Sequence, residues 1–205
     1  MSGAALKKTK SYTWSDYQGW HDDQRWEIIH GEAYLMSPGP TSRHQWVSMG
    51  LSRQMSALFL KKSCRLFAAP MDVVLSEQDV VQPDLLVVCD AARIKRTHVE
   101  GAPALVVEIL SDSSISRDRL LKLGLYARHE VPEYWIVTPW PSLVEVYRLE
   151  AGHYVVHGVF GKADKLISPA FPDLDLILAD VFDFPIEPGE EPPVVREPPT
   201  PAYAT

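Results

Sequence analysis

Ala104-Leu105-Val106-Val107-Glu108-Ile109-Leu110 is the stretch on which the fold turns. Six of its seven residues are apolar, and turn residues bound it, Gly101 and Pro103 before and Ser111 after. A short run of this kind reads as a strand covered on both faces. Inside it stands Glu108. A carboxylate stripped of water is too costly to keep ionised without a partner. Glu108 is therefore either paired or holding a cation.

Outward from that strand the chain alternates between two periodicities. Toward the N-terminus, residues 84–89 give a second strand of the same character, opened by Pro83 and Asp84. Residues 65–68 and 71–75 read as two more. Before them, Val47, Leu51, Met55 and Leu58 recur along one face of a helix placed at 42–62, which Pro40 and Thr41 open. A hairpin is expected over 26–29 and 32–36 around Gly31, and Thr13 caps a short helix over 14–19.

Toward the C-terminus, Ser111-Asp112-Ser113-Ser114 leads into a second helix over 115–129, which Pro132 stops. Strands follow at 133–138, 143–149 and 153–160, the last two joined by the turn Glu150-Ala151-Gly152. A strand near 164–168 and a helical turn near 178–183 close the body. Mixed strands with two main helices make an α/β fold with a sheet core. Three regions are expected: a disordered leader at 1–12, one domain at 13–184, and a disordered tail rich in Pro and Glu at 185–205.

A chain of 205 residues, 46% of them hydrophobic, can bury a full core. No apolar run approaches the roughly 18 residues of a membrane span, so a soluble protein without membrane contact is expected. The basic start carries no hydrophobic segment, so no signal peptide is read. Cys64 and Cys89 lack metal-ligand spacing and are expected as free core thiols of a reduced compartment, the cytoplasm. The net charge of −7 argues mildly against a protein that coats nucleic acid. Glu187, Glu190, Glu191 and Glu197 supply part of it, so the body is closer to neutral and has room for a local basic groove. Arg43, Arg53, Lys61 and Lys62 on the first helix could touch phosphate, although scattered helix charges are usually a solvated face.

If the strands carrying Asp84 and Glu108 are neighbours, their carboxylates meet at one edge of the sheet. Two hard oxygen ligands, a main-chain carbonyl and waters suit Mg²⁺ or Mn²⁺. Taken singly, Asp84 reads equally well as a cap and Glu108 as the partner of Lys122 or an arginine. Asp118 and Lys122 are four apart on a helix and also read as a surface pair. Glu27 is a further acidic neighbour or, like Glu32, a hairpin charge facing solvent. Tyr126, Tyr134 and Trp135 read as core aromatics.

The order Pro83-Asp84, Val107-Glu108-Ile109-Leu110-Ser111, Asp118, Lys122, Tyr126 and Val131-Pro132-Glu133-Tyr134-Trp135 resembles the Uma-two family of restriction endonuclease-like proteins. That family lies within the PD-(D/E)XK nuclease superfamily. Trp26-Glu27-Ile28-Ile29-His30-Gly31-Glu32, Met36-Ser37-Pro38 and His44 resemble its N-terminal half. The resemblance implies a restriction-endonuclease-like mixed sheet flanked by helices, with an added N-terminal hairpin and C-terminal strands. It implies Asp84 and Glu108 as ligands of Mg²⁺ (or Mn²⁺), and His44 and Glu27 as contacts to substrate or to the metal's surroundings. The motif's lysine would fall at position 110, where this chain has Leu110, and Lys122 takes its place as the residue that stabilises charge. A second departure is Asp112, where the family has proline.

The implied function is a metal-dependent endonuclease acting on phosphodiester bonds of DNA, with RNA or branched DNA not distinguished. A homodimer would suit the cutting of two strands. The alternative is a catalytically inactive nuclease fold that binds nucleic acid or protein, which Leu110 and the acidic balance favour.

Overall fold

The computed structural model describes residues 10–21, 24–36, 39–60, 62–111 and 121–185. In chain order its elements are α1 (Trp14–Tyr17), β1 (Trp26–Ile29), β2 (Glu32–Leu35), α2 (Ser42–Phe59), β3 (Arg65–Ala68), β4 (Asp72–Ser76), β5 (Asp79–Val81) and β6 (Leu85–Val88). A short 3-10 turn (Ala91–Arg93), β7 (His98–Glu100), β8 (Leu105–Ile109), α3 (Leu123–Arg128), β9 (Glu133–Thr138) and β10 (Leu143–Glu150) follow. The body ends with β11 (His153–Gly161), β12 (Lys165–Ile167), β13 (Asp175–Ile177) and α4 (Leu178–Val181).

Among the described residues the strands form a six-stranded sheet, β11-β10-β9-β8-β6-β3, a five-stranded sheet, β2-β1-β5-β4-β7, and a two-stranded pair, β12-β13. In the larger sheet β8 and β9 run parallel, and its other neighbours are antiparallel. The apolar character of 104–110 on both faces, Glu108 aside, has the expected cause. One face of the sheet, with Leu85, Val87, Leu105, Val107 and Ile109, meets Val47, Leu51, Met55 and Phe59 of α2. The other face, with Leu86, Val88, Val106 and Ile136, meets Leu125 and Tyr126 of α3 and Val73, Val81 and Val99 of the smaller sheet. Each large side chain of the α2 stripe that is fully buried contributes about 1.5–3 kcal/mol before entropy is counted.

Thr41 caps α2 by accepting the His44 N–H at 3.2 Å. Gly50 lets this helix lie close to α4, since a Cβ there would stand 3.0 Å from the Val181 Cα. The turn between β10 and β11 uses the left-handed region at Ala151 (φ 48°) and Gly152 (φ 81°), as a tight hairpin requires. No helix of the described residues is long and apolar enough to cross a membrane.

The structure corrects the sequence reading at several points. Cys64 and Cys89 are not free thiols but a disulfide. The register that pairs Arg65 with Val88, continued one step, sets the two cysteines face to face at the ends of β3 and β6. Their expected reduced state therefore falls, and the argument for the cytoplasm that rested on it. Helix α2 ends at Phe59 rather than at 62, and β5, β7 and β13 were not expected as strands. The helix expected over 115–129 is described only from residue 121, so its entry through Asp112, Ser113 and Ser114, and Asp118 with it, lies outside the described residues. Residues 1–9 and 186–205 of the expected leader and tail lie outside them as well.

Candidate active site

The site grows from the pairing of β6 with β8. Leu85 pairs with Val107 and Leu86 with Val106, and one further step sets Asp84 opposite Glu108. Side chains alternate along a strand, so Glu108 shares the α3 face with Val106. Asp84 lies just before β6 begins. Its Oδ2 accepts the Ile109 N–H at 2.7 Å, tying the start of β6 to the end of β8. His44 Nε2, from the first turn of α2, lies 3.4 Å from the same oxygen. The Asp84 carboxylate is 21% exposed, and the His44 ring only 9%.

Glu108 is 3% exposed and Lys122 2%. The Lys122 ammonium donates to Glu108 Oε1 at 2.9 Å and stands 2.8 Å from Glu27 Oε1. The Tyr126 hydroxyl donates to Glu108 Oε1 at 2.7 Å. Burial, with the Glu108 charge beside it, holds the Tyr126 hydroxyl well above the ordinary phenol range, so it stays a donor. Lys122 and Tyr126 are one helical turn apart and reach Glu108 from the same side.

Glu27, wholly buried in β1, is thus an inward-facing member of the cluster. It is not a solvent-facing hairpin charge, whereas Glu32 is exposed and accepts the Tyr34 hydroxyl. Glu27 Oε1 also accepts the Gln82 N–H at 3.0 Å. The Gln82 side chain is held by Arg25 at 2.7 Å, Asp72 at 2.8 Å and the Tyr17 hydroxyl at 3.1 Å. Burial and the Asp72 charge push the Tyr17 hydroxyl up to about 12, and burial raises the Asp72 carboxyl against the donors it accepts.

The cluster therefore brings Asp84, Glu108, Lys122, Glu27 and His44 together. Two carboxylates, Glu27 and Glu108, face the one lysine, and His44 stands against the third, Asp84. Such a site carries an excess of negative charge where water is scarce, and a divalent cation would offset it. Among the described residues no group of three or more His, Cys, Asp or Glu is placed to hold a metal. The residues that could hold such an ion are the pair Asp84 and Glu108, since Mg²⁺ takes few protein ligands and keeps its waters.

The sequence reading missed some of the surroundings. Tyr126 is the core aromatic that the sequence suggests, and its hydroxyl also reaches the site, for which its spacing of four from Lys122 is the signal. Trp140, just beyond β9, and Trp46, two residues after His44 on α2, are exposed at 57% and 46%. A solvent-facing tryptophan has no periodic signature. Glu133 is wholly buried, and burial raises its carboxyl while Ser168 and the Ala170 N–H donate to it. It stands apart from the cluster, among donors that bind it structurally.

Compared with known proteins, residues 14–179 match the family model Uma2, described as "Putative restriction endonuclease". The chain belongs to the Uma2 family. An uncharacterized protein of Synechocystis is 29% identical over 136 residues, which cover 64% of this chain and 71% of that protein. A crystal structure from Anabaena variabilis, described as a putative nuclease belonging to DUF820, superposes with a TM-score of 0.66 at 18% identity. It covers 83% of this chain and 97% of that one, and at that identity it speaks for the fold alone. The mixed α/β fold is thus that of a Uma2 protein, and Asp84, Glu108 and Lys122 all lie within the matched residues.

Proposed function

We propose that this Uma2 protein is a Mg²⁺- or Mn²⁺-dependent endonuclease that hydrolyses phosphodiester bonds of DNA. The observation that carries the reading is the register that sets Asp84 opposite Glu108, with a buried ammonium on Glu108. Asp84 and Glu108 would hold the ion, which when bound polarises the phosphate and makes water a nucleophile near neutral pH.

The chain's own residues do the rest. Asp84 is fixed by the Ile109 N–H and backed by His44. Glu108 is held in one rotamer by Lys122 and Tyr126, so its carboxylate needs no reorganisation as the reaction proceeds. Lys122 supplies the positive charge that the motif's usual lysine would bring from position 110. Leu110 lies in the apolar core beside Leu125 and Tyr126, on the same face that Lys122 approaches. The lysine has moved from strand to helix without changing the side from which it acts.

A second reading is supported by the same ammonium. Lys122 is already engaged by two carboxylates, which suits a structural counter-ion in an inactive binding protein. Plasmid nicking separates the two. Purified protein should nick supercoiled DNA with Mg²⁺ or Mn²⁺ and stop with EDTA, and Glu108→Gln should fall to background with an unchanged circular dichroism spectrum. Wild type and variant equally inert on DNA and RNA would hand the site to the binding reading.

A further inference from the structure

The hydrolytic reading leaves unused an aromatic patch at the rim of the site. Trp140 is 57% exposed, Trp46 46% and Met49 66%. The other tryptophans are buried, as Trp26 and Trp135 are, or half-buried, as Trp14 and Trp20 are. The Arg43 guanidinium lies 4.5 Å from the Phe184 ring centre and 6.0 Å from that of Trp140. Trp46 meets Phe184 edge-on at 6.1 Å. Trp140, Arg43, Phe184 and Trp46 are therefore joined in one contiguous group, with the guanidinium between two rings and Trp46 edge-on to Phe184.

The fold places this group beside the carboxylates from two directions. Arg43 immediately precedes His44, which touches Asp84. Trp140 follows the end of β9, whose Ile136 pairs with Glu108 and whose Val137 carbonyl accepts the Leu110 N–H.

The occupant follows from charge. A surface that tracks duplex DNA gains its affinity from many lysine and arginine contacts to phosphate. This chain carries a net charge of −7, and Lys62, past the far end of α2, is engaged by Asp173. Stacking on an aromatic face needs no excess of positive charge and is open to any unpaired base. An arginine among the rings adds a flat cationic surface that stacks as well as it pairs.

We propose that Trp140, Arg43 and Trp46 are a stacking platform for unpaired bases, so that the site takes single-stranded DNA in preference to duplex. This rests on the nucleic-acid part of the function proposed above and not on hydrolysis. The test is fluorescence anisotropy in EDTA with a labelled oligothymidylate and with a duplex of the same length.

Wild type should bind the single strand more tightly. Trp140→Ala should weaken that binding by roughly fivefold or more, with Trp46→Ala acting in the same direction and Trp140→Phe keeping most of the affinity. Circular dichroism shows whether each variant is folded, and Trp46→Ala stands in if Trp140→Ala is not. A preference for duplex, no binding of either probe, or affinities unchanged in both alanine variants would overturn the platform. Nicking without single-strand preference overturns the platform and keeps the endonuclease. Stacking-dependent binding without cleavage keeps the platform and removes the hydrolysis.

Discussion

Replacing Lys122 by methionine removes the ammonium while keeping most of the apolar stem. In the native protein Lys122 is 2% exposed, and its ammonium lies 2.8 Å from Glu27 Oε1 and 2.9 Å from Glu108 Oε1. Without it the two carboxylates share a site from which water is largely excluded, within about 6 Å of each other, a range at which like charges act strongly on one another. Removing one partner of a buried ion pair costs about 3–5 kcal/mol, because the charge left behind stays buried. Here two charges are left behind, which points to the upper part of that range. The Gln82 N–H and the Tyr126 hydroxyl remain as donors to Glu27 and Glu108 and temper the loss. For a chain of this size the loss corresponds to about 6–20 °C in Tm.

The assay is urea unfolding in EDTA, so that no metal stands in for the lost charge, with a thermal melt alongside. Glu27→Gln in the Lys122→Met background removes one of the two stranded charges. It should recover part of the lost stability, although the same change in the native background leaves Lys122 with one partner fewer. The two changes should therefore couple by at least about 1 kcal/mol, as contacting residues do. If Lys122→Met unfolds within about 0.5 kcal/mol of wild type, as a neutral surface change would, the ammonium is not balancing these carboxylates.

Two further outcomes follow from groups outside the site. Asp79 gathers the His30 N–H, Ser76, Arg128 and His129 at the C-terminal end of α3. Burial works against its charge, but those donors together hold its carboxyl below the usual range. A depressed folded value means stability that is full above the ordinary carboxylate range and lost as pH falls through the folded one. Asp79→Asn should therefore cost about 1–3 kcal/mol near neutral pH, and the gap to wild type should close under acid, as unfolding curves across pH will show. A gap independent of pH would refute it. The disulfide joins residues 25 apart, so Cys64→Ser with Cys89→Ser should cost about 3 kcal/mol, and dithiothreitol should lower the Tm of wild type but not of the double variant.

Asp79 and the disulfide, unlike Lys122, fall where the sequence is least legible. The strand at 104–110, the α2 stripe and the turn at Glu150-Ala151-Gly152 could be read because each encodes its own structure. Residues apolar on both faces, a recurrence at helical spacing, and a glycine next to a left-handed residue are local facts. Strands β5 and β7 hold three residues each, too few to show an alternation. Strand β5 forms because it lies between β1 and β4, and β7 because it pairs with β4. The disulfide was missed for the same reason. Its two cysteines meet through a register between β3 and β6 that no spacing along the chain reveals.

The site divides along the same line. Asp84 and Glu108 stood out because a charged residue opening or interrupting an apolar strand needs a reason. Glu27 is ambiguous in sequence because a glutamate in a hairpin is ordinary. All four residues of β1 are buried because Ile29 packs in the α3 layer while Trp26 and Ile28 lie against the N-terminal aromatics. The smaller sheet also explains the lysine's position. A lysine at 110 would project from the end of β8 into the layer where Leu110 now packs with Leu125 and Tyr126. A lysine at 122 enters the same layer from the helix and meets Glu27 on one side and Glu108 on the other. The smaller sheet thus supplies the second carboxylate that makes a helix-borne lysine worth burying. Asp79, on the neighbouring strand of that sheet, holds the far end of the same helix in place. The chemistry of the larger sheet depends on the smaller one at both ends of α3.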